Sequence, residues 1–251
     1  MQKTKIILSL SLIGLLAATG PLSAATVTWT AATTISGDSD VSLTGTLNRA
    51  FNFGASGSPA LADTTVNGVT FTAAAYNLSI SQFPTMTNTV QDVGALSGAS
   101  NNYGVSGTAY NSLTSQYQAL LTSGIFAFTD APLTLTLNGL TSGQLYQVQI
   151  WTNDSALNTG ALRNTVLTGA SNVSLQQNVQ DEDGGVGQYA IGTFTADSSS
   201  QNIFMTGTGS SARTLINGFQ LRAVPEPGVM PAAGLMGLWL ATVARRRRHA
   251  Q

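Results

Sequence analysis

The chain has no cysteine, a single histidine and few charged residues, 8% of 251. The missing cysteine excludes disulfides, thiolate zinc sites and cysteine nucleophiles. The one histidine, His249, stands two residues from the end, so the body of the chain can assemble neither a Ser-His-Asp triad nor a Cys-His pair. An average soluble protein carries roughly 25% charged residues. Here Ser, Thr, Asn, Gln and Gly take their place, and the surface must be solvated by hydroxyls and amides. Lysine is also missing from the middle: between residues 26 and 223, Arg49, Arg163, Arg213 and Arg222 face nine aspartates and Glu182, a net charge of −6. Such a body does not seek phosphate backbones, which excludes a nucleic-acid partner. A hydrophobic share of 43% still suffices for a core.

The two ends are built differently from the middle. Residues 1–25 open with Lys3 and Lys5, run through an apolar stretch over 6–18 and finish with small residues, Ser23 and Ala25 at −3 and −1 of a cleavage site. Charge, length and small residues in that order predict a signal peptide, read by the Sec translocon and cut by signal peptidase after Ala25. At the other end Val224, Pro225, Glu226 and Pro227 precede an apolar run over 228–244 and then Arg245, Arg246, Arg247 and Arg248. Seventeen residues at 1.5 Å rise span roughly 26 Å, enough for a thin bilayer, and the arginines stop transfer on the cytoplasmic side. The segment 228–244 is therefore expected to be a transmembrane helix with the body outside.

The ordered tail over 224–251, Pro-Glu-Pro then a span then arginines, resembles the PEP-CTERM sorting signal of Gram-negative bacteria. The resemblance implies an exosortase, a membrane protease that recognises the Pro-Glu-Pro element and removes the tail, and it implies a place in exopolysaccharide or biofilm matrix. Pro225 and Pro227 disfavour helix on either side of Glu226 and present an extended segment that a protease can reach.

Residues 26–223 are of a size for one domain. Short β-rich runs over 26–32, 64–73, 124–128, 133–137, 145–152, 162–167, 189–195, 202–206 and 215–221, separated by Gly, Asn, Asp and Ser, predict an all-β fold, a single β-sandwich. Val66-Asn67-Gly68-Val69 is a hairpin signal. Leu113, Tyr117, Leu120 and Leu121 recur with helical period behind Asn111 as a cap, which predicts one short helix packed on the sandwich. Leu140-x-x-Gly143-x-x-Tyr146 looks like the tyrosine corner of immunoglobulin and fibronectin-type sandwiches, in which the hydroxyl bonds a backbone group upstream. The length of the body and the helix favour a jelly-roll, galactose-binding-like sandwich.

Candidate sites are few. With period two, Tyr146, Val148 and Ile150 form a core face on 145–152, while Gln147, Gln149, Trp151 and Asn153, followed by Asp154, offer an aromatic among amides, the make-up of a sugar-binding surface. The competing reading has the helix cover this face and Trp151 pack inside. Asp181 and Asp183, beside Glu182 and two glycines, are candidate calcium ligands against an exposed acidic turn. Glu182 with Asp154 or Asp130 would be the carboxylate pair of a glycan hydrolase. The sequence favours a non-enzyme: an exported envelope or matrix protein with a structural or interaction role toward extracellular polysaccharide. The alternatives are a carbohydrate-binding module of defined specificity and, below it, the hydrolase.

Overall fold

The computed structural model of the chain describes residues 25–57, 59–76, 90–92, 96–128, 132–157, 162–209 and 212–225. Its strands in chain order are β1 (Thr28–Trp29), β2 (Thr33–Thr34), β3 (Thr46–Ala55), β4 (Thr64–Val66), β5 (Val69–Tyr76), β6 (Val90–Asp92), β7 (Gly98–Ser100), β8 (Gly124–Phe128), β9 (Leu133–Asn138), β10 (Leu145–Thr152), β11 (Arg163–Leu167), β12 (Val173–Gln176), β13 (Gln188–Thr195), β14 (Ser200–Gly209), β15 (Arg213–Ile216) and β16 (Gly218–Ala223). Two short helices, α1 (Thr108–Asn111) and α2 (Ser115–Leu121), lie between β7 and β8. The fold is all-β and sandwich-like.

An eight-stranded sheet in the order β1-β13-β10-β16-β3-β5-β4, with β2 also on β13, faces a five-stranded sheet, β12-β11-β14-β9-β6, and a three-stranded one, β15-β8-β7. The main core lies between them. Tyr146, Val148, Ile150, Phe53 and Phe219 from the large sheet meet Leu133, Leu135, Leu137, Leu167 and Met205 from the five-stranded sheet and Ile125 and Ile216 from the three-stranded one. Alternating leucine and threonine in β9 puts the leucines inward, as period two requires.

The large sheet is covered on its other face as well. Phe71, Val66, Ala50 and Trp151 pack there against Tyr110, Leu113, Tyr117, Leu120 and Leu121. The expected helix is thus present, but it begins later than predicted. Thr114, not Asn111, is its cap: the Thr114 hydroxyl accepts the Tyr117 N–H at 3.2 Å and donates to Asp38 Oδ1 at 2.7 Å. Asn111 instead ends a separate turn of helix, so among the described residues the sandwich carries two α-helices rather than one.

Two local signals hold. Asn67 and Gly68 both have positive φ, 49° and 76°, the pair a tight hairpin demands, and β4 and β5 are joined through them. The hydroxyl of Tyr146 accepts the Thr141 N–H at 3.0 Å, with Gly143 at φ 82° turning the chain between them. This is the bond expected of a tyrosine corner.

The run 215–221 is not one strand. It divides at Asn217 into β15 and β16, which belong to different sheets. The Asn217 side chain holds that corner, accepting the Asn153 N–H at 2.6 Å and donating to the carbonyls of Leu121 and Ser123 at 2.9 and 2.7 Å. Among the described residues no helix is long and apolar enough to cross a membrane. The expected span 228–244, Glu226, Pro227, Ser23 and the arginines Arg245, Arg246, Arg247 and Arg248 lie outside the described residues.

Candidate functional site

The face of β10 that offered a sugar platform is interior. Trp151 and Gln149 are fully buried and Asn153 just beyond the strand is too, while Gln147 is half-buried. The Trp151 indole N–H donates to the Tyr117 hydroxyl at 2.9 Å, and its ring meets Phe71 edge-on at 5.4 Å. Gln149 donates to the Asp40 carbonyl at 2.7 Å and accepts from Ser42 N–H and the Gln220 amide at 3.0 and 2.8 Å. Gln147 accepts from the Ser42 hydroxyl, and Asn153 accepts the Gly187 N–H. These amides fasten the segment around Asp40 and the loop before β13 onto the sheet. A buried amide row needs partners and finds them in backbone, which is why polarity here did not mean exposure. The exposed-platform expectation for Gln147, Gln149, Trp151 and Asn153 is corrected accordingly.

The acidic turn is a folded corner. Asp181 has φ 52° and its N–H donates to the Asn178 side chain, while the Glu182 carbonyl accepts from the Asn178 amide at 2.8 Å. Among the described residues no group of three or more His, Cys, Asp or Glu side chains could hold a metal ion. That includes Asp181 and Asp183. Asp130 lies outside the described residues.

Asp154 falls into a charged cluster, at the end of the sandwich where β10 leaves and β11 and β15 enter. Its carboxylate is 3.9 Å from Arg163 Nη1 at the start of β11. Arg213, the first residue of β15, completes the group. Its guanidinium lies over the rings of Phe126 and Phe128, 4.5 and 5.2 Å from their centroids. Arg213 pairs directly across from Phe128 in the β15–β8 ladder, and Phe128 remains 54% exposed. Tyr103, itself buried, acts electrostatically on all three charged groups.

Gln177, wholly buried, holds the backbone of all three charged residues. Its N–H donates to the Arg163 carbonyl at 3.0 Å, its carbonyl accepts the Asp154 N–H at 2.7 Å, and its side-chain amide donates to the Arg213 carbonyl at 2.6 Å. Thr165 adds a second fastening, its hydroxyl donating to the Leu215 carbonyl and accepting the Leu215 N–H, both at 3.0 Å. That hydroxyl joins the five-stranded to the three-stranded sheet.

Burial raises the Asp154 carboxyl above its ordinary value, opposed by the Ala156 N–H and by Arg163 and Arg213. Burial also pushes the Tyr103 hydroxyl up to about 12, so it stays protonated, although Arg213 pulls the other way. No hydrogen bond of good geometry reaches that hydroxyl, and Arg163 Nε is likewise buried without a partner among the described residues. The cluster therefore holds two guanidiniums against one carboxylate, with an exposed aromatic beside it.

Arg163, Arg213, Tyr103, Phe126 and Phe128 were not among the sequence candidates. The available signal was scarcity: in a body with four arginines each one invites a question. The other two are occupied in the frame. Arg222 donates to the carbonyls of Leu43, Thr44 and Gly45, and Arg49 donates to the Asn138 carbonyl.

At the termini, Ala25 is half-buried and lines a cleft of about 220 Å³ with Thr168, Asn202 and Phe204. At the far end the Val224 N–H donates to the Leu145 carbonyl at 2.9 Å and its carbonyl accepts the Gln144 amide at 2.7 Å, while Pro225 is exposed.

No protein-family model and no curated protein matches the chain. Among solved structures, the extracellular domain of ANXUR1 from Arabidopsis thaliana is 12% identical, with 71% of this chain and 48% of that one covered and a TM-score of 0.46. The ANXUR2 extracellular domain, from the same plant, is 11% identical over 72% and 49%, with a TM-score of 0.42. A carbohydrate-binding module of the β-sandwich superfamily is 11% identical over 59% and 66%, with a TM-score of 0.13. The chain spans about half the length of the two ANXUR domains.

Proposed function

We propose that this chain is an exported matrix protein whose jelly-roll-type sandwich binds extracellular polysaccharide without cleaving it. The N-terminal signal delivers it, the helix over 228–244 holds it at the membrane, and an exosortase acting at Val224, Pro225, Glu226 and Pro227 releases it.

The observation that carries the binding role is Arg213 laid on Phe126 and Phe128 beside the Arg163–Asp154 pair. An exposed aromatic takes the apolar side of a sugar ring, and convergent charged groups take its substituents. The charged groups acting on Asp154 are guanidiniums, which suits recognition better than the paired carboxylates of a hydrolase. The sorting role is supported by the surroundings of Val224 and Pro225. The chain is hydrogen-bonded through Val224, and Pro225, the first proline of the motif, is exposed, so a protease can meet that proline without opening a strand.

The experiment is co-sedimentation of the protein with polysaccharide of the producing cells, with a reducing-end assay on the same samples and intact mass measured with and without the processing protease. Retention without new reducing ends, and a mass ending near Pro227 only when the protease is present, is the expected result. Release of reducing ends dependent on Asp154 or Glu182 would replace binding by hydrolysis. A full tail under both conditions would leave a simple membrane anchor.

A further inference from the structure

We infer that the sugar taken at this end is acidic: a uronate-type residue whose carboxylate lies between Arg163 and Arg213 and whose ring rests on Phe128. The inference rests on the polysaccharide-binding reading and names the ligand class of the same site.

Charge is the first argument. The body has a net charge of −6 and four arginines. Arg222 and Arg49 bond backbone carbonyls within the frame, whereas Arg163 stands 3.9 Å from the Asp154 carboxylate and Arg213 also acts on it electrostatically. Two cations against one anion leave a single positive charge, which a monoanion such as a sugar carboxylate matches. A nucleic acid needs a stripe of such charges and a high total, which the four arginines of residues 26–223 do not supply.

Geometry is the second. The Arg163–Asp154 approach of 3.9 Å is longer than a hydrogen bond, so the guanidinium fork is not closed on Asp154. A planar carboxylate is the ligand that a guanidinium fork accepts with two parallel bonds. Arg213 is held by stacking on Phe126 and Phe128 with the Tyr103 hydroxyl beside its fork, an arrangement in which the guanidinium meets an acceptor in its own plane. Its backbone is fixed by Gln177 and its ladder partner is Phe128. The same strand pair thus supplies both the charge and the exposed ring, the two features a pyranose bearing a carboxylate requires. Asp154 remains able to accept from a ring hydroxyl.

The test uses the purified full-length protein with polygalacturonate and with the same polymer after its carboxyl groups are reduced to alcohols, at about 150 mM salt so that long-range attraction is screened. Affinity is read by titration calorimetry for the wild type, Arg213→Gln and Asp154→Asn, with thermal melting as the fold control. Polygalacturonate should bind at least about tenfold more tightly than the reduced polymer, a difference of the size a charge-assisted bidentate contact supplies. Arg213→Gln should erase that preference, and Asp154→Asn, which frees the guanidiniums from their internal competitor, should strengthen it. The second variant keeps the test decisive if the first does not fold. Equal binding of both polymers, untouched by either variant, would overturn the acidic-sugar inference and leave polysaccharide binding standing. Binding of neither polymer, nor of the cells' own polysaccharide, would remove both.

Discussion

The side-chain amide of Gln177 donates to the backbone carbonyl of Arg213 at 2.6 Å. It joins residues 36 positions apart and fixes where β15 begins, and with it where the guanidinium stands. Gln177→Met, close in shape but without the donor, should destabilise the fold by about 1–3 kcal/mol, since it leaves a carbonyl unpaired in a buried region. It should also weaken polysaccharide binding. Urea denaturation and titration calorimetry on the same variant check both effects.

Tyr117 sits between Trp151 and Asp40. Its hydroxyl accepts from the indole and donates to Asp40 Oδ2 at 3.3 Å, and the Asp40 carboxylate also takes the N–H groups of Ser36 and Gly37. Tyr117→Phe should cost about 1–3 kcal/mol by stranding the indole N–H, and Trp151→Ala about 3–5 kcal/mol through the cavity it leaves. Both appear in urea denaturation. Polysaccharide affinity of folded Tyr117→Phe should equal that of the wild type, because this chain of bonds lies on the opposite side of the large sheet from the main core and touches no part of the charged cluster.

Asp154 gives a pH dependence with a definite sign. Its carboxyl is raised above 3.8, chiefly by burial, so the folded state holds this proton more tightly than the unfolded one. The stability it contributes is complete below the ordinary carboxyl range and is lost as pH rises through the raised value. Asp154→Asn should therefore melt at a higher temperature than the wild type at neutral pH, and the gap should close as pH falls below about 4. A thermal-melting series over pH measures it, and a gap that widened in acid would contradict the assignment.

The tyrosine corner is separable from the site. Tyr146→Phe removes the acceptor of the Thr141 N–H and should lower stability by about 1 kcal/mol, read by urea denaturation, without altering the preference between acidic and reduced polymer. Tyr146 reaches Phe194 by stacking at 5.7 Å, and phenylalanine retains that contact.

Much of the fold is legible in the sequence where period and turn chemistry agree. β8 and β10 lie where alternation places them, the Asn67-Gly68 hairpin follows from positive φ, and the bond of Tyr146 follows from the Leu140–Gly143–Tyr146 spacing. β3 was missed because Asn48, Arg49, Asn52 and Gly54 interrupt its apolar pattern. Tertiary partners satisfy the buried Asn52, which is 1% exposed, accepts the Ser123 hydroxyl and donates to the Ala62 carbonyl. β12 was missed because Val173-Ser-Leu-Gln is too short to show a period. The candidate site was mostly hidden. Asp154 was named, but Arg163, Arg213 and Tyr103 come from three distant stretches that only the strand pairing and Gln177 bring together. The amide-rich face of β10 misled for a related reason, since polarity on a strand reports a need for partners and the fold supplied them from inside.

The central claim is that this end of the sandwich holds polysaccharide. The most direct measurement is titration calorimetry of the protein against polysaccharide from its own producing cells, comparing the wild type with Arg213→Gln at matched thermal stability. The account predicts saturable binding by the wild type and a loss of at least about tenfold in the variant, the scale of one charge-assisted contact. Equal affinity in both proteins, or no binding by either, would contradict it.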